Sequence, residues 1–394
     1  MAYLPHKLRR MSVYIHLLKE WPAFKWEDDK IILTLSAMRH KQGRLLGKLE
    51  GLGFLLREEA TLETLTQDVI KSSEIEGEKL PADQVRSSIA RRLGIEKAGE
   101  VRANRNVEGV VEMMLDATQK YDQLLSDDRL FGWHAALFPM IRSGMHKIQV
   151  GTWRDDAKGP MQVVSGAIGR ERVHYEAPDA GRLNIEMNKF LDWFNTTTAM
   201  DPVLKAAIAH LWFVTIHPFD DGNGRIARAI ADMQLARADG SRQRFYSMSA
   251  QIQRERNVYY DILEKTQKGN LDITKWLLWF IECLDRAISL SEENLSGITQ
   301  KAKFWEAHHG VALNERQRLI LNKLMDGFEG SLTSSKWAKI AKCSPDTALR
   351  DIQDLIDKGI LDKEEGGGRS TSYRIKNKRP GLPDCSCSTL FKYT

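Results

Sequence analysis

The chain has 394 residues, long for one domain, and 42% of them are hydrophobic, ample for packed cores. Lysine plus arginine stand at 58 against 53 for aspartate plus glutamate, a formal charge of +5, too even to mark nucleic acid or an anionic membrane as the main partner. Cys283, Cys343, Cys385 and Cys387 lack zinc-type paired spacing, the amino-terminal stretch lacks an export signal, and the densest apolar run, Trp276 to Ile281, is too short to span a bilayer, so we expect a reduced, cytoplasmic chain.

From Trp26 to about Leu93 apolar residues recur three and four apart, pausing near Gly77 and resuming at ADQVRSSIARRLGI. This predicts an all-helical amino-terminal region over residues 1–106. A second helical block covers Val107 to Leu125 and Leu130 to Ile141. The clear strand signal is MQVVSGAIGRERVHY, two short β-branched or apolar runs around a glycine-containing turn, which predicts a hairpin over Met161 to Tyr175 before a break at Pro178. Helices return over Leu183 to Phe194, Pro202 to Ile216 and Arg225 to Ala238, and continue to about Leu290, closing a core over residues 107–290.

A polar stretch at Ser291 to Ala302 then reads as a join to a different module over residues 303–378. Its order is a helix, a short helix at Ser334 to Ala341, a turn at Cys343 to Pro345, a helix from Asp346 to Lys358, and two strands around Gly366 to Gly368. That order predicts a winged helix-turn-helix. Between Leu313 and Arg379 there are 14 Lys or Arg and 10 Asp or Glu, with Thr347 and Arg350 near the start of the second helix. Such a balance permits DNA contact and fits protein contact or homodimerisation at least as well. Residues 379–394 carry no periodic pattern and read as a flexible tail.

One short loop concentrates the chemistry: HPFDDGNGR, His217 to Arg225, between two apolar helices. Free N–H groups at the start of the second helix attract anions, and Gly222 and Gly224 can take the conformations of a concave nest of amides. Around it stand an imidazole, His217, a carboxylate able to hold a divalent metal, Asp221, and two guanidinium groups, Arg225 and Arg228, at i and i+3. Phosphate chemistry needs such a set: a base, cations for the developing charge, and amides to fix geometry. Phe219 fits a plug that anchors the loop in the core. His134 and His210 fit buried helical histidines, and no ATPase-type phosphate loop is present, since GRLLGKL at Gly43 has the wrong spacing.

HPFDDGNGRIAR resembles, position for position, the signature H-x-F-x-[DE]-G-N-G-R-x-x-R of Fic-domain proteins, with all eight specified positions matched. The resemblance implies a mainly α Fic-type helical core with a small β-hairpin flap, and transfer of AMP from ATP to a Ser, Thr or Tyr hydroxyl of a target protein or of the chain itself. By position, His217 would be the base, Asp221 would bind Mg²⁺ or Mn²⁺, Gly222, Asn223 and Gly224 would cradle the α- and β-phosphates, and Arg225 and Arg228 would hold the β- and γ-phosphates. Val163, Val164, Val173 and His174 would lie on the flap that holds the target by strand addition, and Asn257 and Tyr260 would cover the adenine. SSEIEG, Ser72 to Gly77, matches the family's inhibitory motif [ST]-x-x-x-E-[GN], which implies that Glu76 pairs with Arg228 in place of the γ-phosphate. Ser72 and Glu76 share a helix face at i and i+4, and Gly77 is the residue type that follows a helix end. Two other readings stay open: the same site removing AMP, with Glu76 positioning water, and a DNA-binding regulator whose core senses nucleotide.

Overall fold

The computed structural model describes residues 13–51, 53–95, 101–144, 146–157, 159–166, 170–325, 328, 330–364 and 371–376. They fall into two compact units that meet between Asn294 and Leu295. The first is a helical assembly: α1 (Asp28–Glu50), α2 (Phe54–Ile75), α3 (Ala82–Leu93), α4 (Arg105–Gln119) and α5 (Asp127–Leu137). Two antiparallel ribbons follow, β1 (Arg142–Ser143) with β2 (His146–Lys147), and β3 (Gln162–Ser165) with β4 (Arg172–Glu176). Then come α6 (Leu183–Asn195), α7 (Pro202–Ile216), α8 (Asn223–Asp239), α9 (Met248–Arg254), α10 (Arg256–Gln267) and α11 (Thr274–Ala307).

Helix starts are set by side chains that satisfy the free N–H groups of the first turn: Asn104 accepts from Val107, Ser126 from Arg129, Asp201 from Val203 ahead of Pro202, and Ser247 from Ala250. α7 is apolar on every face, and Val203 to Ile216 is buried throughout, so it is the central rod of the unit. α8 packs along it, buried from Arg225 to Ala236, and the loop between them lies where the two helix ends meet. α2 packs on α9 and touches α4 and α8, which brings its carboxyl-terminal end to the start of α8.

Several boundaries differ from the sequence reading. The helix expected to reach Ile141 stops at Leu137, because Pro139 bars helical geometry at Phe138 and Ile141 takes a φ of +57° into the unforeseen β1–β2 ribbon. The helix expected to reach Leu125 ends at Gln119, and the main-chain N–H of Leu125 instead donates to the Asn195 side chain. The polar stretch Ser291 to Ala302 does hold the boundary between the units, but it is helical: α11 runs through it to Ala307, since Glu, Leu, Gln, Lys and Ala keep helix propensity high and Leu295 stays buried. The hairpin over Met161 to Tyr175 is present, its described strands ending at Glu176.

The second unit contains α12 (Glu315–Met325), β5 (Leu332–Thr333), α13 (Ser334–Ala341), α14 (Pro345–Asp357), β6 (Leu361–Lys363) and β7 (Ser372–Ile375). The strands form an antiparallel sheet in the order β5–β7–β6 around a core of Trp337, Ile352, Leu355, Ile320 and Leu361. The short strand β5 escaped the sequence reading because two residues carry no periodicity. Gly366 to Gly368 and the tail 379–394 lie outside the described residues.

α4 and α5 approach closely at Gly109, where a Cβ would come within 1.8 Å of the Ala136 carbonyl oxygen. Gly109→Ala must push two helices apart, so we expect it to destabilise the chain by ~1–3 kcal/mol, read as a lowered midpoint in thermal or urea unfolding. An unchanged midpoint would show that this contact is slack.

Candidate active site

α7 ends at His217, which takes a left-handed conformation (φ 52°, ψ 57°) as its cap. A left-handed histidine is uncommon, and two groups hold it there. Arg154, buried among polar partners, donates through Nε to the His217 carbonyl at 2.8 Å and through its main-chain N–H to Pro218 O at 2.9 Å. The ring places Nδ1 3.2 Å from Val214 O, a contact that only a protonated Nδ1 can make. Nε2 is left with a free lone pair. Desolvation pulls the imidazole down to about 4, with the Arg154 guanidinium pushing the same way against the Val214 carbonyl, so the ring is neutral at neutral pH.

The next residues lock the loop. Phe219 is fully buried and stacks on His134 at 4.2 Å, among Trp153 and Phe131, as a plug should. Asn223 spends its whole side-chain amide on this plug: Nδ2 donates to Phe219 O at 2.7 Å and Oδ1 accepts from Phe219 N at 3.0 Å. Its side chain is therefore a strut, and what Asn223 offers an anion is its main-chain N–H. Gly222 has φ +80° and caps α8, turning the chain so that the first amides of α8 open toward the cavity. Asp221 accepts from Gly222 N and from the Ser143 hydroxyl of β1, and Asp220 from Gln149 N.

The two arginines are paired from one short segment. α2 ends in a Schellman turn: Gly77, at φ +86°, donates to Glu74 O, and Glu78 N donates to Ser73 O. That turn aims two carboxylates at α8. Arg228 donates to Glu76 Oε1 at 2.8 Å, to Ser72 Oγ at 2.9 Å and to Ser72 O at 2.8 Å. Burial works against its charge, but Glu76 more than offsets this and raises the guanidinium pKa above its usual value. Arg225 donates to Glu78 Oε2 at 2.7 Å, its guanidinium 5.1 Å above the Phe138 ring. Glu76 Oε1 also lies over Gly224, where a Cβ would come within 2.2 Å of it, so only glycine fits beneath the carboxylate. Arg256 from α10 donates to Ile75 O at 2.7 Å, placing a cation at the negative end of α2.

A cavity of about 570 Å³ opens beside the loop, lined by His217, Asp221 to Gly224, Glu76, the flap and α10. Arg225 and Arg228 do not line it: Arg228 is paired with Glu76, which does, and Arg225 with Glu78, which does not. From the flap Val163, Val164 and His174 face the cavity, whereas Val173 does not. Tyr260 lines it too, its hydroxyl 3.4 Å from Glu76 Oε2. Asn257 does not: it is exposed on α10, whose Arg256, Tyr259, Tyr260, Leu263, Glu264 and Gln267 line the cavity instead. His134 and His210 are buried, pulled down by desolvation to about 4 and about 3, and His210 pairs with the Tyr259 hydroxyl at 2.9 Å. Sequence reasoning passed over Arg154, Ser143 and Glu78. Of these Glu78 was within reach, since a second acid two residues after Glu76 follows the same glycine.

Comparison with known proteins bears on this loop. Residues 124–235 match the family model of the Fic/DOC family, and residues 14–95 match a domain of unknown function, DUF4172. The chain is 28% identical over 238 residues to a protein adenylyltransferase Fic of Aedes aegypti, spanning 59% of this chain and 42% of that protein. It is 31% identical over 133 residues to the protein of the same name from Drosophila willistoni, 32% of this chain and 25% of that one. The chain thus spans less than half the length of these curated relatives. A Fic family protein from Desulfovibrio desulfuricans G20 shares the fold, with a TM-score of 0.51 at 19% identity over 88% of this chain and 96% of that one.

The state of His217 can be read directly. We expect its ring resonances, followed by NMR through pH 3 to 8, to show a neutral imidazole until the pH nears about 4, whereas an exposed histidine titrates near 6.5. A midpoint at the ordinary value would mean that burial does not keep this ring ready to accept a proton.

Proposed function

From the match of residues 124–235 to the Fic/DOC-family model we propose that the chain is a protein adenylyltransferase, moving AMP from ATP to a Ser, Thr or Tyr hydroxyl of a target protein and of itself. The observation that carries this reading is the loop itself: a neutral imidazole with a free Nε2 beside an amide nest and two arginines. ATP lies with its phosphates at the amide end of α8. The acceptor hydroxyl gives its proton to His217 Nε2 as its oxygen bonds to the α-phosphorus, and the bond to the leaving pyrophosphate breaks.

A magnesium or manganese ion would neutralise phosphate charge in such a reaction. Asp221 suits it: one carboxylate at the anion site is the usual protein share of a metal bound mainly through phosphates and water. Among the described residues there is no cluster of three or more metal-ligating side chains. The flap presents strand edges to which an extended target segment can add, Val163 and Val164 facing the cavity. The helices and three-stranded sheet of the second unit fit a winged helix-turn-helix, for which contact with protein, a second copy of the chain or DNA is in keeping with its near-even charge. No helix among the described residues is long and apolar enough to cross a membrane, and we place the activity in the cytoplasm.

We further read α2 as the restraint on this activity. Glu76 and Glu78 take the guanidinium groups that β- and γ-phosphates need, so ATP is denied the pose required for in-line attack. Glu76 makes the larger contribution, since its partner is the more deeply buried charge.

His217→Ala is expected to lower transfer by ~10²- to 10⁴-fold while ATP binding persists, because the base acts on the acceptor. Parental activity in that variant would remove His217 from its role. Glu76→Gly is expected to raise self-modification on the order of tenfold or more, as losing a charge-assisted bond of ~1.5–3 kcal/mol allows. Glu78→Gln should add roughly two- to fivefold, its pair being half-exposed and worth ~0.2–1 kcal/mol. Incorporation of label from ATP marked on the α-phosphate measures all three, and no change in either acid variant would show that α2 does not restrain the site.

A further inference from the structure

α2 and α8 meet along one stripe of each. Asp68, Ser72 and Glu76 stand four apart on α2, and Asp232, Arg228 and Gly224 stand four apart on α8. Ser72 and Glu76 bond Arg228, Glu76 lies over Gly224, and at the far end of the stripe the carboxyl groups of Asp68 and Asp232 are in hydrogen-bond contact. Both acids are buried, as is Arg244 beside them. Asp68 Oδ1 accepts from the Ser247 hydroxyl at 2.6 Å and from Ser249 N at 3.1 Å, and Asp232 Oδ1 accepts from Arg244 Nη2 at 2.6 Å. The second oxygen of each carboxyl, Oδ2, is buried and meets no donor from any other residue. Carboxylates only accept, so two of them in contact need a proton, and one proton shared by the Oδ2 atoms satisfies both and leaves a single negative charge against Arg244. Burial and then the Asp68 charge push the Asp232 carboxyl well above the usual carboxylate range, with Arg244 opposing. The other charged groups facing the pair are Arg228, which Glu76 meets, and, beside Arg244, Asp239 bonded to the Tyr246 hydroxyl. The buried faces of α3, α4 and α9 carry no charged side chain, and α7 adds His210, which desolvation keeps neutral.

We propose that Asp68 and Asp232 share one proton across the α2–α8 contact, that the pair gives it up when α2 leaves α8, and that the restraint on the nucleotide site loosens as pH rises. The inference rests on the reading of α2 as the restraint and not on the transfer of AMP. With α2 seated the pair holds its proton. With α2 away, Asp68 meets water as an ordinary carboxylate, Asp232 keeps Arg244 as its counter-ion, and the proton passes to solvent. The seated state therefore binds one proton more than the released state. Its advantage is complete below the ordinary carboxylate value, near pH 4, and falls roughly tenfold for each pH unit from there up to the pH at which the seated pair itself ionises. The same movement opens Arg228 and Arg225 to phosphate, so ATP binding near neutral pH expels the proton.

The test uses the full parental chain with Asp68→Asn and Asp232→Asn, each of which puts an amide N–H₂ where the proton stands and leaves one carboxylate beside Arg244. Infrared spectra at neutral pH are expected to show a protonated-carboxyl stretch in the parental chain that both variants lack, and the same band in all three would overturn the shared proton. Calorimetric titration with ATP in buffers of different ionisation enthalpy then counts protons. The parental chain is expected to release about one proton more per ATP than either variant, and its ATP affinity to climb more steeply between about pH 6 and about pH 8, by up to tenfold per unit. Glu76→Gln, in which the restraint has lost its main bond but the pair is untouched, provides a second reference and is expected to show a shallower slope than the parental chain. Equal proton release and equal slopes in all four proteins, with the infrared band present, would overturn the link between the pair and the restraint. An ATP affinity that is the same in the parental chain and in Glu76→Gln at every pH would overturn the restraint reading itself.

Discussion

A guanidinium group buried at the start of a helix needs an anion, and in this chain Arg228 receives its anion from α2. Removing one partner of such a pair leaves an uncompensated buried charge, at a cost of ~3–5 kcal/mol, so the site is stable only when something negative meets Arg228. Glu76 and the polar atoms of Ser72 meet that need at rest. A phosphate group of a bound nucleotide meets it equally well in kind. On the proposed function, restraint and substrate binding are the same electrostatic contact with two alternative occupants; Arg225 is paired in the same way with Glu78. One nitrogen of each arginine, Nη1 of Arg228 and Nε of Arg225, is buried without a partner, so the resting contact leaves donor capacity unused.

Exchange of occupants requires a frame that does not move, and the loop is built that way. Phe219 is fixed in an aromatic cluster, Asn223 ties both main-chain groups of Phe219 to the first turn of α8, and Arg154 holds the left-handed turn at His217 by its carbonyl. The end of α2 is held by burial of Ser72, Ser73 and Ile75 and by polar contacts from Arg228, Arg225, Arg256 and the Tyr260 hydroxyl. Those contacts reach α2 from α8 and from α10, whose next turns carry Glu264, bonded to His174 of the flap. Nucleotide loop, restraint and flap are thus linked through two helices.

Much of this was legible in the sequence because the signals were local. The apolar α7, the GNG turn, the arginines one helical turn apart and the glycine after Glu76 each declare themselves within a dozen residues, and the structure brings them together. What escaped depended on long-range contact or on direction around a helix. Arg154 sits in a stretch that reads as flap, and nothing in its neighbours shows that its side chain reaches His217 O. The resemblance put Asn223 among the residues that cradle phosphates, whereas burial beside Phe219 commits both ends of its side-chain amide. Asn257 and Tyr260 are three apart, close enough in sequence to share a surface, yet the cavity takes the stripe that begins at Arg256. The bulge that turns His174 inward cannot be read from alternation, since one extra residue shifts which side chains face the cavity.

The central claim is that two carboxylates of α2 stand where two phosphates belong, and relative affinity for ATP and AMP tests it most directly. AMP lacks the β- and γ-phosphates, so calorimetric titration of both nucleotides in the parental chain and in Glu76→Gln/Glu78→Gln isolates those contacts. The account predicts little preference for ATP in the parental chain and a preference raised by on the order of tenfold or more in the variant, about 1.4 kcal/mol or above. An equal ratio of affinities in the two proteins would contradict it, because the arginines would then be as open to phosphate with the acids in place as without them.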